Sequence, residues 1–274
     1  MSDLLCQQSQ LLKHLEPLLN DMPACALKHM LFEAFWSEEA GLVSIEQSFQ
    51  ALTAMRPEPQ ALCQFFASWS LTHHHLGSLA GLGNRLTLLA RSGPDESAAA
   101  LYRACGSLQR ITDEELGASG NTPYPELFDN MASTICGSDQ WRLKANSQPS
   151  AQMFRYWIEA RCLRDRDLSQ GLLLSLIHRI YSHGEARFIG PLYRQWLTRD
   201  LGMPVAVAWA TVAWAKVQAE VAPNQHYVHA LEALAGYADA MSCSINQHAA
   251  REIFVQYLQR KARVMRDCLQ RPSA

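Results

Sequence analysis

The longest apolar segment of the chain lies between Pro204 and Glu220, and its apolar side chains fall on every side of a helix rather than along one stripe. Frequent alanines make the segment a good helix former. A helix that is apolar all round is typical of a bundle centre or of a membrane span. The segment reaches Lys216 before the ~18–20 apolar residues that a bilayer crossing needs. The pattern therefore predicts a central core helix over 204–221 and no membrane partner.

The same kind of spacing recurs along the chain, and no useful length alternates with a period of two residues. Apolar residues at helical intervals indicate helices, whereas strict alternation would indicate strands. Besides the central helix, the pattern predicts core helices at about 60–91, 168–201 and 224–243. We therefore expect an all-α fold of about eight to ten helices, with residues 1–274 in one domain.

Charge and cysteine usage exclude several classes of protein. The net charge of −2 gives no basic surface for nucleic acid and no polybasic membrane patch. The eight cysteines form no C-x-x-C pair, which favours reduced core residues over a zinc site or disulfides. The first residues lack the basic start and apolar centre of a signal peptide, so we expect a cytoplasmic protein.

Two helical segments carry polar residues where apolar ones are expected. The run His73–His75 lies in a segment from Gln60 to Arg91 that has no acidic residue. Successive helical side chains turn by ~100°, so at least one of the three histidines points inward. Glu185 falls in the middle of another helix, seven residues after His178. Buried polar groups need partners, so each is either a hydrogen-bonded core residue or part of a site, and a surface position for Glu185 is equally consistent with the pattern.

A third set of polar residues borders the segment predicted to be central. His226 and His229 share one face of the helix that follows, and Lys216 and Glu220 are spaced to pair on the preceding one. A solvated rim and a functional site are both consistent with this pattern.

Three passages, WSLTHHHLGSLAGLGNRL, ITDEELGASGNTPYPELF and SLIHRIYSHGEARFIGPLYRQWLTRDLG, resemble consecutive parts of a known fold. Over roughly residues 25–240 the chain resembles the haem-oxygenase-like helical superfamily. The similarity is to the branch that contains pyrroloquinoline-quinone synthase and the non-haem diiron oxidases. Glu185 stands where the diiron members place a metal carboxylate.

The resemblance implies an incomplete metal site. The diiron members carry His-x-x-x-Asp-x-x-His in the third core helix, and aligning its last histidine with His226 puts Pro223 and Ala219 at the other two ligand positions. The resemblance therefore implies one Fe(II), held by Glu185, His226 and one residue of His73–His75, with His74 and His75 as the candidates, and no haem. Two histidines and one carboxylate are the ligands of mononuclear non-haem iron.

The alternative within the same superfamily is an enzyme without metal. There the resemblance implies that histidines, together with Lys216 and a tyrosine such as Tyr181 or Tyr227, orient an electron-rich substrate and move protons. Either version is an oxidoreductase that uses dioxygen in the biosynthesis of a cofactor or natural product. It would act on a small-molecule substrate in a central pocket. A non-catalytic relative that binds a ligand, forms a homodimer or pairs with a partner protein is the second hypothesis.

Overall fold

The computed structural model describes residues 8–269 apart from 24, 55–56, 74, 119 and 221–222. Within these residues the chain forms thirteen α-helices, two short 3-10 helices and no strand. The α-helices are α1 (Gln10–Asp21), α2 (Ala26–Ser37), α3 (Glu39–Ala54), α4 (Pro59–Ser70), α5 (Leu76–Ser92), α6 (Asp95–Glu115), α7 (Tyr124–Cys136), α8 (Pro149–Leu163), α9 (Leu168–Arg199), α10 (Val205–Thr211), α11 (Ala213–Glu220), α12 (Pro223–Ala240) and α13 (Gln247–Asp267). The predicted all-α class is confirmed, and the predicted eight to ten helices were too few.

The helix predicted over 60–91 is interrupted by a tight turn between α4 and α5. The Thr72 amide donates to the Trp69 carbonyl (2.9 Å), and the Thr72 hydroxyl donates to the same carbonyl (2.7 Å). A threonine hydroxyl that bonds the nearby backbone competes with the helical pattern. The prediction of one long helix was therefore wrong, and the turn separates His73 from the axis of α5.

The helix predicted over 204–221 is also divided, at Val212, into α10 and α11. Val205, Val207 and Trp209 of α10 are 63%, 45% and 43% exposed, so this segment lies at the surface. The prediction of a central helix here was wrong. The physical reason is that an all-round apolar composition permits burial but does not require it.

The centre of the bundle is α9, whose bounds agree with the helix predicted at 168–201. Every residue from 171 to 186 is buried, on all sides of the helix. Asp167 caps its start by accepting a hydrogen bond from the Ser169 amide. α9 packs against α1, α8, α11, α12 and α13. Its buried polar side chains are therefore held inside the protein and must find partners there.

α12 corresponds to the helix predicted at 224–243, and it packs against α6 and α9. α13 lies along α2, α3, α8 and α9. Among the described helices none is both long and apolar enough to span a membrane.

Candidate functional site

A fully buried carboxylate, that of Glu185 on α9, is the centre of the candidate site. The Lys261 ammonium on α13 is 3.1 Å from Oε1 and 3.2 Å from Oε2 of this side chain. The Trp69 indole donates to Oε1 at 3.3 Å, and Nε2 of His73 lies 3.0 Å from Oε2. Three helices and the turn after α4 thus place one anion, one cation and one imidazole in direct contact.

The electrostatics of this cluster keep the carboxylate ionised. Burial alone would raise the pKa of Glu185, but the charges of Lys261 and His73 outweigh it and lower the pKa to about 2. Burial lowers the pKa of Lys261, and Glu185 opposes that shift. The two residues therefore form a buried ion pair, which needs further polar partners to offset its desolvation. Thr72 is one such partner, because its hydroxyl accepts from the ammonium at 2.6 Å.

Lys261 was not identified from the sequence, although a signal was present. It falls in the apolar stripe of α13, at helical spacing from Phe254, Tyr257, Leu258 and Met265. A lysine in the middle of such a stripe must either reach solvent or meet an anion inside the protein. The side chain is 0% exposed, so the second case applies.

A cavity of about 230 Å³ adjoins this cluster, between α5, α7, α9 and α11, and it reaches the surface at the exposed Gly77. Its walls combine aromatic, cationic and hydrogen-bonding side chains with a few apolar ones. The lining residues are His73, Leu76, Gly77, Glu115, Tyr124, Pro125, His178, Arg179, Ser182, Trp214 and Gln218. The Trp214 ring packs edge-on against the His73 ring, with centroids 4.9 Å apart. His73 therefore connects the buried ion pair to a space that a small molecule could occupy.

The second imidazole of the cavity, His178, is neutral. Burial lowers its pKa well below the usual value, and the charges of His75 and Arg179 act in the same direction. Nδ1 of His178 shares a hydrogen bond with the Tyr257 hydroxyl at 2.9 Å. The cavity thus presents two imidazoles in different settings, one beside a carboxylate and one beside a phenol.

Arg179 forms the cationic part of the wall. Its guanidinium is in hydrogen-bond contact with Glu115 of α6, and both side chains are buried. Within the described residues the Nε atom of Arg179 has no hydrogen-bond partner. A buried N–H without a partner is costly, so this group is a candidate donor to a bound molecule or water.

Two of the residues predicted from the sequence lie in or beside this cluster: Tyr181 is close to Glu185, and His75 is close to His178. The Tyr181 ring is 5.3 Å from the Lys261 ammonium, and burial followed by the charge of Glu185 raises the Tyr181 pKa well above its usual value. The Tyr181 hydroxyl is near that carboxylate but does not reach it with hydrogen-bond geometry. His75 lies against His178, with ring centroids 4.3 Å apart, and its Nε2 is 2.9 Å from the Thr72 carbonyl oxygen.

The other predicted site residues lie elsewhere. His226 contacts Glu114 of α6, with Nε2 and Oε2 2.6 Å apart but not in hydrogen-bond geometry. Burial, followed by the charge of Asp21 of α1, raises the pKa of Tyr227. Lys216 is exposed and lines a surface groove rather than the cavity that His73 lines. His74 lies outside the described residues.

This arrangement does not fit the predicted iron site. Fe(II) would need both Glu185 and His226, but the His226 imidazole meets Glu114 of α6 instead. An ammonium contacts both oxygens of Glu185, and its positive charge would repel a cation. In the described part of the chain no three His, Cys, Asp or Glu side chains are grouped as metal ligands.

The buried neutral histidines predict an acid-sensitive fold. Burial, followed by the charge of Arg187, lowers the pKa of His183 to about 4, and the His178 pKa is also lowered. The unfolded chain takes up protons at these positions below about pH 6.5, before the folded protein does. We expect the free energy of unfolding to fall by at most about 1.4 kcal/mol per pH unit for each imidazole as pH drops from 6.5 towards 4.

Urea unfolding at a series of pH values would measure this slope. His183→Gln should reduce it, whereas replacing the exposed His29 with glutamine should not. Glu185 adds nothing in this window, because its contribution is lost only as pH falls from about 4.5 to about 2. Equal stability at pH 6.5 and pH 4.5 would contradict the prediction.

Comparisons with known proteins give a likeness in structure only. No family model and no curated protein matches the chain. Among solved structures, a TenA homolog from Pseudomonas syringae pv. tomato superposes with a TM-score of 0.66 over 92% of this chain and 95% of that one, at 14% identity. The chain therefore shares the helical fold of that TenA homolog.

Proposed function

We propose that the chain is an enzyme that performs metal-independent acid–base chemistry on a small molecule with a planar ring. The observation that supports this best is the pairing of His73, which lines the cavity, with the buried carboxylate of Glu185. A carboxylate beside one imidazole nitrogen fixes the ring and stabilises the imidazolium that forms when the ring accepts a proton. Lys261 and Trp69 hold that carboxylate in place.

The cavity limits the substrate class. Its volume of about 230 Å³ is below the ~300–1,000 Å³ of sites for drug-sized ligands, so the substrate is a small metabolite. Trp214 and Tyr124 present aromatic surface, which favours stacking or edge contacts with a planar ring. Ser182, Gln218 and Arg179 supply the polar contacts that would fix its orientation.

The finer version of this proposal is the oxidative one. The substrate would then be an electron-rich ring compound of a biosynthetic route, dioxygen would be the co-substrate, and His73 would move the proton. This version follows from the resemblance to metal-free members of the superfamily. The oxidative version therefore predicts that turnover consumes dioxygen.

His73→Gln is the direct test. The protein is incubated with a library of small aromatic metabolites in the presence of a chelator, and product formation is followed by mass spectrometry and an oxygen electrode. Glutamine keeps a polar side chain but cannot accept the proton, so we expect at least a hundredfold loss of turnover. The matched control is His29→Gln, at an exposed histidine, which should leave turnover unchanged.

Each contrary result has a distinct meaning. Turnover that the chelator abolishes would overturn metal independence. Turnover without dioxygen uptake would refute the oxidative version and keep the acid–base one. Binding of library members without any conversion would favour the non-catalytic ligand-binding hypothesis.

A further inference from the structure

A second concave surface lies on the other side of α11 from the cavity that His73 lines. Trp214 and Gln218 line the cavity, whereas Val212 and Lys216 of the same helix line an open groove of about 490 Å³ against α9. We call this the basic groove, because Arg187, Arg194 and Lys216 all line it. Lys216 therefore lies in this groove, and the proposed reaction does not use it.

All the charged side chains that line the basic groove are positive. Its other lining residues are small or apolar apart from Trp209, and in the described part of the chain none is acidic. The positive charge of Arg187 acts on nearby side chains. After burial, this charge is the largest cause of the lowered pKa of both His14 and His183. Cations gathered in a concave surface repel one another and attract anions from solution.

An aromatic ring beside these charges adds a second kind of contact. The Arg194 guanidinium lies over the Trp209 ring, 4.2 Å from its centroid. Trp209 is 43% exposed, so part of this indole is open to solvent. Stacking on the indole pre-positions the guanidinium, which can still donate to an anion through its edge. The groove floor near Gly190 and Ala215 is made of small side chains, which leaves room above it.

We propose that the basic groove is a binding site for a small organic anion that carries a planar ring, such as an aromatic phosphate. Arg187 and Arg194 bind the anionic group, and Trp209 contacts the ring. This site is separate from the cavity that His73 lines and does not depend on the proposed reaction.

Calorimetric titration of the full chain with phenyl phosphate tests the proposal. Phenol, which has the ring alone, and inorganic phosphate, which has the anion alone, are the paired probes. We expect phenyl phosphate to bind at least tenfold more tightly than either, and its affinity to fall as salt is raised. The double variant Arg187→Ala/Arg194→Ala should weaken binding at least tenfold, and Trp209→Ala should remove the preference over inorganic phosphate. Arg103→Ala, at an exposed arginine on α6, is the matched control and should bind as the wild type does.

Three results would overturn the proposal. The first is the absence of heat with phenyl phosphate at millimolar concentration. The second is binding that the double arginine variant retains. The third is a change in oligomeric state when Arg194 or Trp209 is replaced, measured by sedimentation, which would identify the groove as a contact between copies of the chain. Circular dichroism of each variant shows that it is folded, which is expected because Arg187 and Trp209 are exposed.

Discussion

Replacement of Lys261 with methionine is expected to lower the free energy of unfolding by about 3–5 kcal/mol. Methionine fills nearly the same space but leaves the buried carboxylate of Glu185 without the ammonium that contacts both of its oxygens. A loss of this size would lower the melting temperature by roughly 10 °C. Thermal and urea unfolding of the variant would measure it.

Two further variants separate charge from packing. Lys261→Met combined with Glu185→Leu removes both charges, and it should recover much of the lost stability, since an apolar pair of similar volume can replace a buried ion pair. Lys13→Met, at an exposed lysine of α1, should have almost no effect. If Lys261→Met alone unfolds within about 1 kcal/mol of the wild type, the ion pair does not have the role described.

Replacement of Trp69 with alanine is expected to lower the free energy of unfolding by about 3–5 kcal/mol. The ring is 0% exposed and packs edge-on or tilted against aromatic side chains from several helices. These neighbours are Phe49, Phe65, Phe66, His73, Phe128, Tyr193 and Trp214. Its truncation leaves a large void and also removes the indole donor to Glu185.

Trp36→Ala is the matched control, because this tryptophan is 46% exposed and should lose little stability. Trp69→Phe keeps an aromatic ring but loses the indole donor and part of the ring volume, so its stability should lie between those of the wild type and Trp69→Ala. A Trp69→Ala variant as stable as Trp36→Ala would show that the aromatic cluster does not hold the helices together. Urea unfolding followed by circular dichroism distinguishes these cases.

The sequence was sufficient for the all-α class and for the bounds of α9, because both depend on local periodicity. It placed the wrong helix at the centre, since 204–221 has fewer polar residues than α9. The burial of α9 depends on partners such as Lys261 and Glu115, which are distant in sequence and invisible to a local pattern. Apolar content thus identified helices but not their depth in the bundle.

The candidate site was predicted in part for the same reason. Glu185 and the run His73–His75 stood out locally, as polar residues in apolar helices. His226 was joined to them only by alignment with the diiron pattern, and the packing of α12 on α6 places it against Glu114 instead. Whether Lys216, Tyr181 or Tyr227 takes part in a reaction stays a prediction, as does the binding of a metal.

The position of Lys261 on α13 has a consequence for the order of events during synthesis. Lys261 follows Glu185 by 76 residues, which a ribosome adds in about 4–15 s at roughly 5–20 residues per second. Until α13 is made and docks, the Glu185 carboxylate has no ammonium to meet, and its charge cannot be buried at low cost. The middle of α9 should therefore stay hydrated in the nascent chain, and the bundle should close around it only when α13 arrives.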